Sequence, residues 1–158
     1  MMGATLAPRI RQAQMDDAEP LAMLATQLGY PASAAEIAAR LRSILPDPDH
    51  VVFVADVPGS GPRGFAHVHA GIALESGPRA ELLGLVTDAA LRSRGLGALL
   101  VAEAERWARA KGFDTLCVRC NVVRTDAHRF YERLGFQCSK TQKYFRKWLG
   151  AAAASQMR

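Results

Sequence analysis

Between residues 82 and 108 the chain reads LLGLVTDAALRSRGLGALLVAEAERWA: an apolar run, then Arg92, Ser93, Arg94, Gly95, Leu96 and Gly97, then apolar positions at helical spacing. Glycines at 95 and 97 permit a turn tight enough for several backbone amides to converge on one anion at the positive end of a helix. The chemistry this pattern serves is diphosphate binding. Two other phosphate loops do not fit: there is no Gly-x-x-x-x-Gly-Lys-Ser/Thr, and Leu100 stands where a dinucleotide loop needs its third glycine.

Other chemistry-bearing residues point less sharply. His67 and His69 flank Val68 on one strand, so their side chains share a face; with no Asp, Glu or Cys at ligand spacing, a structural or acceptor-site role is favoured over a metal. Cys117 and Cys120 match Cys-x-x-Cys by letter only, because positions three apart on a strand face opposite ways. Three cysteines are an odd number, which fits a reducing compartment rather than a disulfide framework.

The loop resembles motif A of the GNAT superfamily of N-acetyltransferases, Arg/Gln-x-x-Gly-x-Gly/Ala between a strand and a helix. Downstream, Ala127-His128-Arg129-Phe130-Tyr131-Glu132-Arg133-Leu134-Gly135-Phe136 resembles motif B of the same superfamily, an alanine, a tyrosine four residues on, and Gly-Phe. The resemblance runs from about residue 8 to 149 and is strongest from 80 to 136. It implies that Arg92, Ser93, Arg94, Gly95, Leu96, Gly97 and Ala98 bind the diphosphate of acetyl-CoA, and that backbone groups of a bulged fourth strand near Leu85, Val86 and Thr87 pair with the pantetheine arm. A freed amide near Val86 would polarise the thioester carbonyl. Asn121 matches a motif B asparagine, whereas Arg124 stands where many members carry a second one. Tyr131 would protonate the departing thiolate, and ordinary values of about 10 and about 8.5 for phenol and thiol make that exchange cheap; the plain alternative is a tyrosine packing beside Phe130 and Leu134. Glu81, eleven residues before Arg92, is the first choice of general base, with Asp88, His67 or a water chain as alternatives. His128 is expected to pack on its helix surface, and Tyr30, in the loop 28–31, to close over an amine.

These groups need a scaffold. A strand at 10–13 is expected to lead into a helix whose Asp16 and Glu19 resemble a capping box and which ends at Gly29. A second helix follows at 33–45, then strands at 51–57, 64–74 and 80–87. A long helix at 96–111 is closed by Gly112. A strand at 115–120, a short helix at 126–134 and one or two terminal strands within 136–149 complete the chain. The expectation is an α/β fold of GNAT type: a mixed, largely antiparallel sheet of six to seven strands, about four flanking helices and a bulged fourth strand leading to the diphosphate loop. One domain, 1–158, is expected, ordered over about 8–149 with a tail at 150–158.

Composition bounds the function. The chain has 158 residues, 49% hydrophobic and 22% charged, with net charge +5; it suits one buried core, carries no run long enough to cross a bilayer and has no secretory layout at its start. The excess of positive charge suits an anionic cofactor as well as it suits nucleic acid, and no nucleic-acid recognition motif accompanies it. The reading is a cytoplasmic N-acetyltransferase that passes an acetyl group from acetyl-CoA to a primary amine by direct attack in a ternary complex. No metal, no nucleic acid and no membrane are expected as partners; the acceptor is a small-molecule amine or a protein amine, and a homodimer is compatible. The alternative is a catalytically weak acyl-CoA-binding or sensing module.

Overall fold

The computed structural model describes residues 7–92 and 94–151; Ser93 and most of the expected tail, 152–158, lie outside the described residues. The chain divides into two compact units, Met1–Arg119 and Cys120–Arg158.

The first unit holds one five-stranded sheet in the order β1-β2-β3-β4-β5, formed by Arg9–Gln12, His50–Val57, Gly61–Ala73, Gly77–Thr87 and Leu116–Val118. The first four strands are antiparallel neighbours, and β5 runs parallel to β4. Helices α1 (Ala18–Leu28), α2 (Ala34–Ile44) and α3 (Leu96–Ala110) belong to the same unit. The expected mixed, mostly antiparallel sheet is therefore present, but with five strands rather than six to seven.

Local chemistry explains the helix ends. α1 stops at Gly29, whose φ of +102° places it in the left-handed region open mainly to glycine. The helix is entered through a 3-10 turn at Met15–Asp17, where the Gln14 amide donates to Asp17 Oδ2 at 2.8 Å. Asp17, not the expected Asp16, does the capping, and Arg11 holds it in place from β1 at 2.8 and 2.9 Å. At α2, Ser33 and Glu36 satisfy each other's backbone amides in a capping box.

Alternation along β3 separates two faces. Gly64, Ala66, Val68 and Ala70 are buried, while Phe65, His67 and His69 are half-buried. The buried face meets α3 so closely that a Cβ at Gly64 would stand 3.2 Å from Leu100 Cδ1. Val68, Leu82, Leu100 and Val101 are among the largest fully buried side chains, each contributing roughly 1.5–3 kcal/mol of hydrophobic stabilisation. On the other face Val52, Val54 and Val86 join Leu21 and Leu24 of α1 and Leu41 of α2 in one cluster, against which Phe65 packs.

The second unit contains α4, Thr125–Arg133, and no strand among its described residues. The expected terminal strands are absent: Tyr144, Phe145 and Leu149 are more than four-fifths exposed, and residues 137–149 pair with no ladder. A β-branched or aromatic composition fits a pleated surface only where a neighbouring strand supplies hydrogen bonds and a packing face.

Candidate functional site

Among the described residues, nothing caps the start of α3. Gly95 occupies its N-cap with φ +79° and offers no side chain to cap it, and the turn closes with Leu99 N–H donating to Gly95 O at 3.1 Å. The amides of Leu96, Gly97 and Ala98 therefore have no backbone acceptor among the described residues, as expected for the first turn of a helix. Gly95, Arg92 and Arg94 are exposed or nearly so, and a Cβ built on Gly95 meets nothing within 4 Å. Fifteen aligned peptide units behind three free amides, with two flanking guanidinium groups, fit a diphosphate. Ser93, also expected at this loop, lies outside the described residues.

The approach to the loop is braced. Asp88 caps a 3-10 turn at Ala89–Leu91: its Oδ1 accepts from Ala90 N–H at 3.0 Å and its Oδ2 from Arg63 at 2.6 Å. The Ala90 amide and then Arg63 hold its carboxyl below the usual carboxylate range. Each oxygen thus accepts one bond, and Asp88 braces the turn. Gln27 of α1 accepts from Ala89 N–H at 3.0 Å, tying the helix to the same turn.

β4 is bulged, though not where expected. His67 pairs with Gly84 and Val68 with Leu82, which leaves Leu83 as the extra residue. Leu85, Val86 and Thr87 pair regularly with Ala66, Phe65 and Gly64. β5 follows β4 only along Ala80–Leu82, so from Leu83 to Thr87 the other edge of β4 has no strand partner among the described residues. An extended pantetheine arm fits such an edge by adding backbone hydrogen bonds in the manner of another strand. The bulge frees backbone groups three residues earlier than Val86, because the register is regular by the time the strand reaches it.

Glu81 lies on β4 opposite His69 of β3 and Cys117 of β5. Its Oε1 forms an ion pair with Arg119 Nε at 3.1 Å, and with His69, Gly71 and Arg79 it lines a cavity of about 230 Å³. A wider, more open concavity of about 450 Å³ along α1 has Glu19 as its titratable residue and is lined also by Gln27, which bonds the Ala89 turn. Tyr30 is 71% exposed.

The histidines form a group of three. His50 Nδ1 and His67 Nε2 are 2.9 Å apart, and the His50 ring stacks on His69 with centroids 4.3 Å apart. Burial, then the neighbouring His50 and His69, pushes His67 down to about 4, so it is neutral near neutrality and a poor proton acceptor there. His50 could not be found from sequence, because only the β2–β3 register puts it opposite His69.

Within the second unit, Tyr131 sits on α4 with its ring edge-on to Phe130 and Phe136, at 5.2 and 5.5 Å. Burial first, then Cys120, pushes its phenol up to about 12, against a smaller opposing effect of Arg124. Asn121 spends its side-chain oxygen on Val123 N–H at 3.1 Å, and its carbonyl oxygen is 2.8 Å from His128 Nε2. His128 thus braces the loop before α4. Cys117, Cys120 and Cys138 are free thiols.

Free amides at the start of α3 and an open edge of β4 are features that suit an acyltransferase working on a thioester with a nucleotide tail. Residues 13–136 match the Acetyltransferase (GNAT) family. The aminoglycoside N(6')-acetyltransferase type 1 of Serratia marcescens is 30% identical over 143 residues, covering 85% of this chain and 95% of that one. Among solved structures, a transcriptional regulator from Bacillus halodurans C-125 is 28% identical with TM-score 0.78, covering 88% of this chain and 99% of the other. The aminoglycoside acetyltransferase AAC(6')-Iy, in complex with a bisubstrate analogue, shares the fold at TM-score 0.80 and 23% identity, over 90% of this chain and 99% of that one. The chain belongs to the acetyltransferase (GNAT) family. It is an enzyme of acetyl transfer from acetyl-CoA to an amine, and a catalytically weak binding module is not favoured. No helix among the described residues is long and apolar enough to cross a membrane.

Proposed function

We propose that this enzyme acetylates a primary amine of a small, polar, multiply substituted molecule of the aminoglycoside class. The observation carrying this reading is the alignment with the Serratia enzyme, which spans 85% of this chain and 95% of that one. In the proposed reaction Arg92, Arg94 and the amides from Gly95 to Ala98 hold the diphosphate, and Ser93 and Asn121 add polar contacts. The open edge of β4 from Leu85 to Thr87 receives the pantetheine arm. Glu81, or a water it orients, takes one proton from the acceptor's ammonium group, since only the free amine can attack the thioester carbonyl.

Tyr131 is the proposed proton donor to the sulfur. A phenol near 12 stays protonated throughout the working range, so it always has a hydrogen to offer. Full transfer to a thiolate with the solution value of about 8.5 would be uphill by roughly 5 kcal/mol. Tyr131 therefore hydrogen-bonds the sulfur as charge develops, and gives up its proton only as its hydroxyl takes the second proton shed by the nitrogen when the amide forms, so that CoA leaves as the thiol and the phenol is restored. Motif position supports this role for Tyr131.

The chain is proposed to act as one acetyltransferase domain in the cytoplasm, without metal, nucleic acid or membrane, and as a homodimer; the exposed Tyr144, Phe145 and Leu149 support self-association. The test is mass spectrometry of purified protein with acetyl-CoA and a panel of aminoglycosides, polyamines, amino acids and lysine peptides. Single acetylation of aminoglycosides is expected, and acetylation confined to peptides would overturn the acceptor assignment. Light scattering at two concentrations checks the dimer.

A further inference from the structure

The histidine group stands beside Glu81 and has no part in the chemistry just described. His69 and Glu81 are directly opposed on β3 and β4, and side chains in such a pair leave the sheet on the same face with Cβ atoms about 4.5–5.5 Å apart. Both line the same 230 Å³ cavity. His69 makes no side-chain hydrogen bond among the described residues, whereas His50 and His67 are engaged with each other. Its position is fixed by shape: His50 stacks on the ring, and Gly71 leaves room for it, since a Cβ there would come within 3.1 Å of His69 Cε1. A metal does not explain this arrangement, since stacked rings aim their nitrogens within roughly parallel planes and not at a common point, and no metal-holding group of three occurs among the described residues.

We propose that His69 is a specificity residue of the acceptor site: its free ring nitrogen hydrogen-bonds a second polar group, a hydroxyl or amine, carried close to the amine that Glu81 receives. His50 and His67 hold the ring in place. The cavity is shared with Arg79 and Glu81, and Arg119 already engages Glu81 Oε1, so Glu81 Oε2 and the His69 ring are the two acceptors left to read a substrate with two donors. This rests on the reading of the Glu81 side as the acceptor side.

The test uses two primary amines of similar shape, 6-amino-6-deoxy-D-glucose and cyclohexylmethylamine, which differ in the hydroxyls around the ring. With His69→Phe, KM for the amino sugar should rise about fivefold to tenfold, the loss of one neutral hydrogen bond, while kcat and all constants for cyclohexylmethylamine hold. His69→Gln, which keeps an acceptor, should recover most of the loss. His50→Phe, which keeps the stack, should stay near wild type, whereas His50→Ala should resemble His69→Phe in part. Calorimetric titration of the amino sugar into the CoA-loaded protein should show the same order of affinities. Equal effects of His69→Phe on both amines, or none on either, overturn the proposal while leaving the acceptor side intact. If Glu81→Gln also leaves turnover of both amines unchanged, or wild type acetylates neither, the underlying reading fails instead.

Discussion

The histidine group makes a quantitative claim about stability that can be checked without any substrate. His67 is pushed from its ordinary 6.5 to about 4 by burial and by His50 and His69. The unfolded chain therefore binds a proton that the folded chain refuses, and acidification favours unfolding. This stability is fully present above pH 6.5, declines as pH falls below it, and is gone by about pH 4. The gap corresponds to a ceiling of roughly 3.4 kcal/mol, and about 2 kcal/mol should be lost between pH 7.5 and pH 5. Carboxylates held below their usual range titrate lower still: Asp88 through the Ala90 amide and Arg63, and Asp17 where burial is outweighed by Arg11 and the Gln14 amide. Their losses set in only as pH approaches the ordinary carboxylate value, below about pH 5, so the window from 7.5 to 5 reports mainly on His67. Urea unfolding of wild type and His67→Gln at both values is the assay. At an m-value of about 2 kcal/mol per molar, wild type should lose about one molar in midpoint that the variant largely keeps. Parallel losses in the two proteins would refute the claim that His67 is held neutral by its surroundings.

Gly95→Val should weaken cofactor binding at least tenfold by fluorescence or calorimetric titration. It should also cost roughly 1–2 kcal/mol of stability, because φ +79° is strained for an L side chain although no atom stands in the way of its Cβ. Tyr131→Phe should lower kcat on a confirmed acceptor by about a hundredfold with acetyl-CoA affinity within twofold, and wild-type turnover would rule out its role as donor. Glu81→Gln should lower kcat/KM by a similar factor and flatten the acid limb of its pH profile, measured by thiol release; an unchanged limb points to water or another base. Asp88→Asn should reduce thermal stability before it alters the form of that profile, since both of its oxygens are bound to the Ala90 amide and Arg63.

The linear sequence determined what depends on near neighbours. Gly95 and Gly97 before a run of helical spacing carry both the turn and its anion-binding use, because N-terminal amides of a helix are free whatever the rest of the fold does. Gly29, Ser33 with Glu36, and the alternation around His67 and His69 were equally local, and the two motifs in order were enough to name the superfamily. Only the tertiary structure decided what depends on register and partners. A strand exists only if another edge receives it, so residues 136–149 could read as β yet form none. The bulge at Leu83 and the short pairing of β5 with Ala80–Leu82 came from the packing of strands far apart in sequence. The same distance hid Arg119 at Glu81, Arg63 at Asp88 and His50 at His69: side-chain contacts across a sheet are set by which residues face each other, and a one-residue slip would replace every one of them.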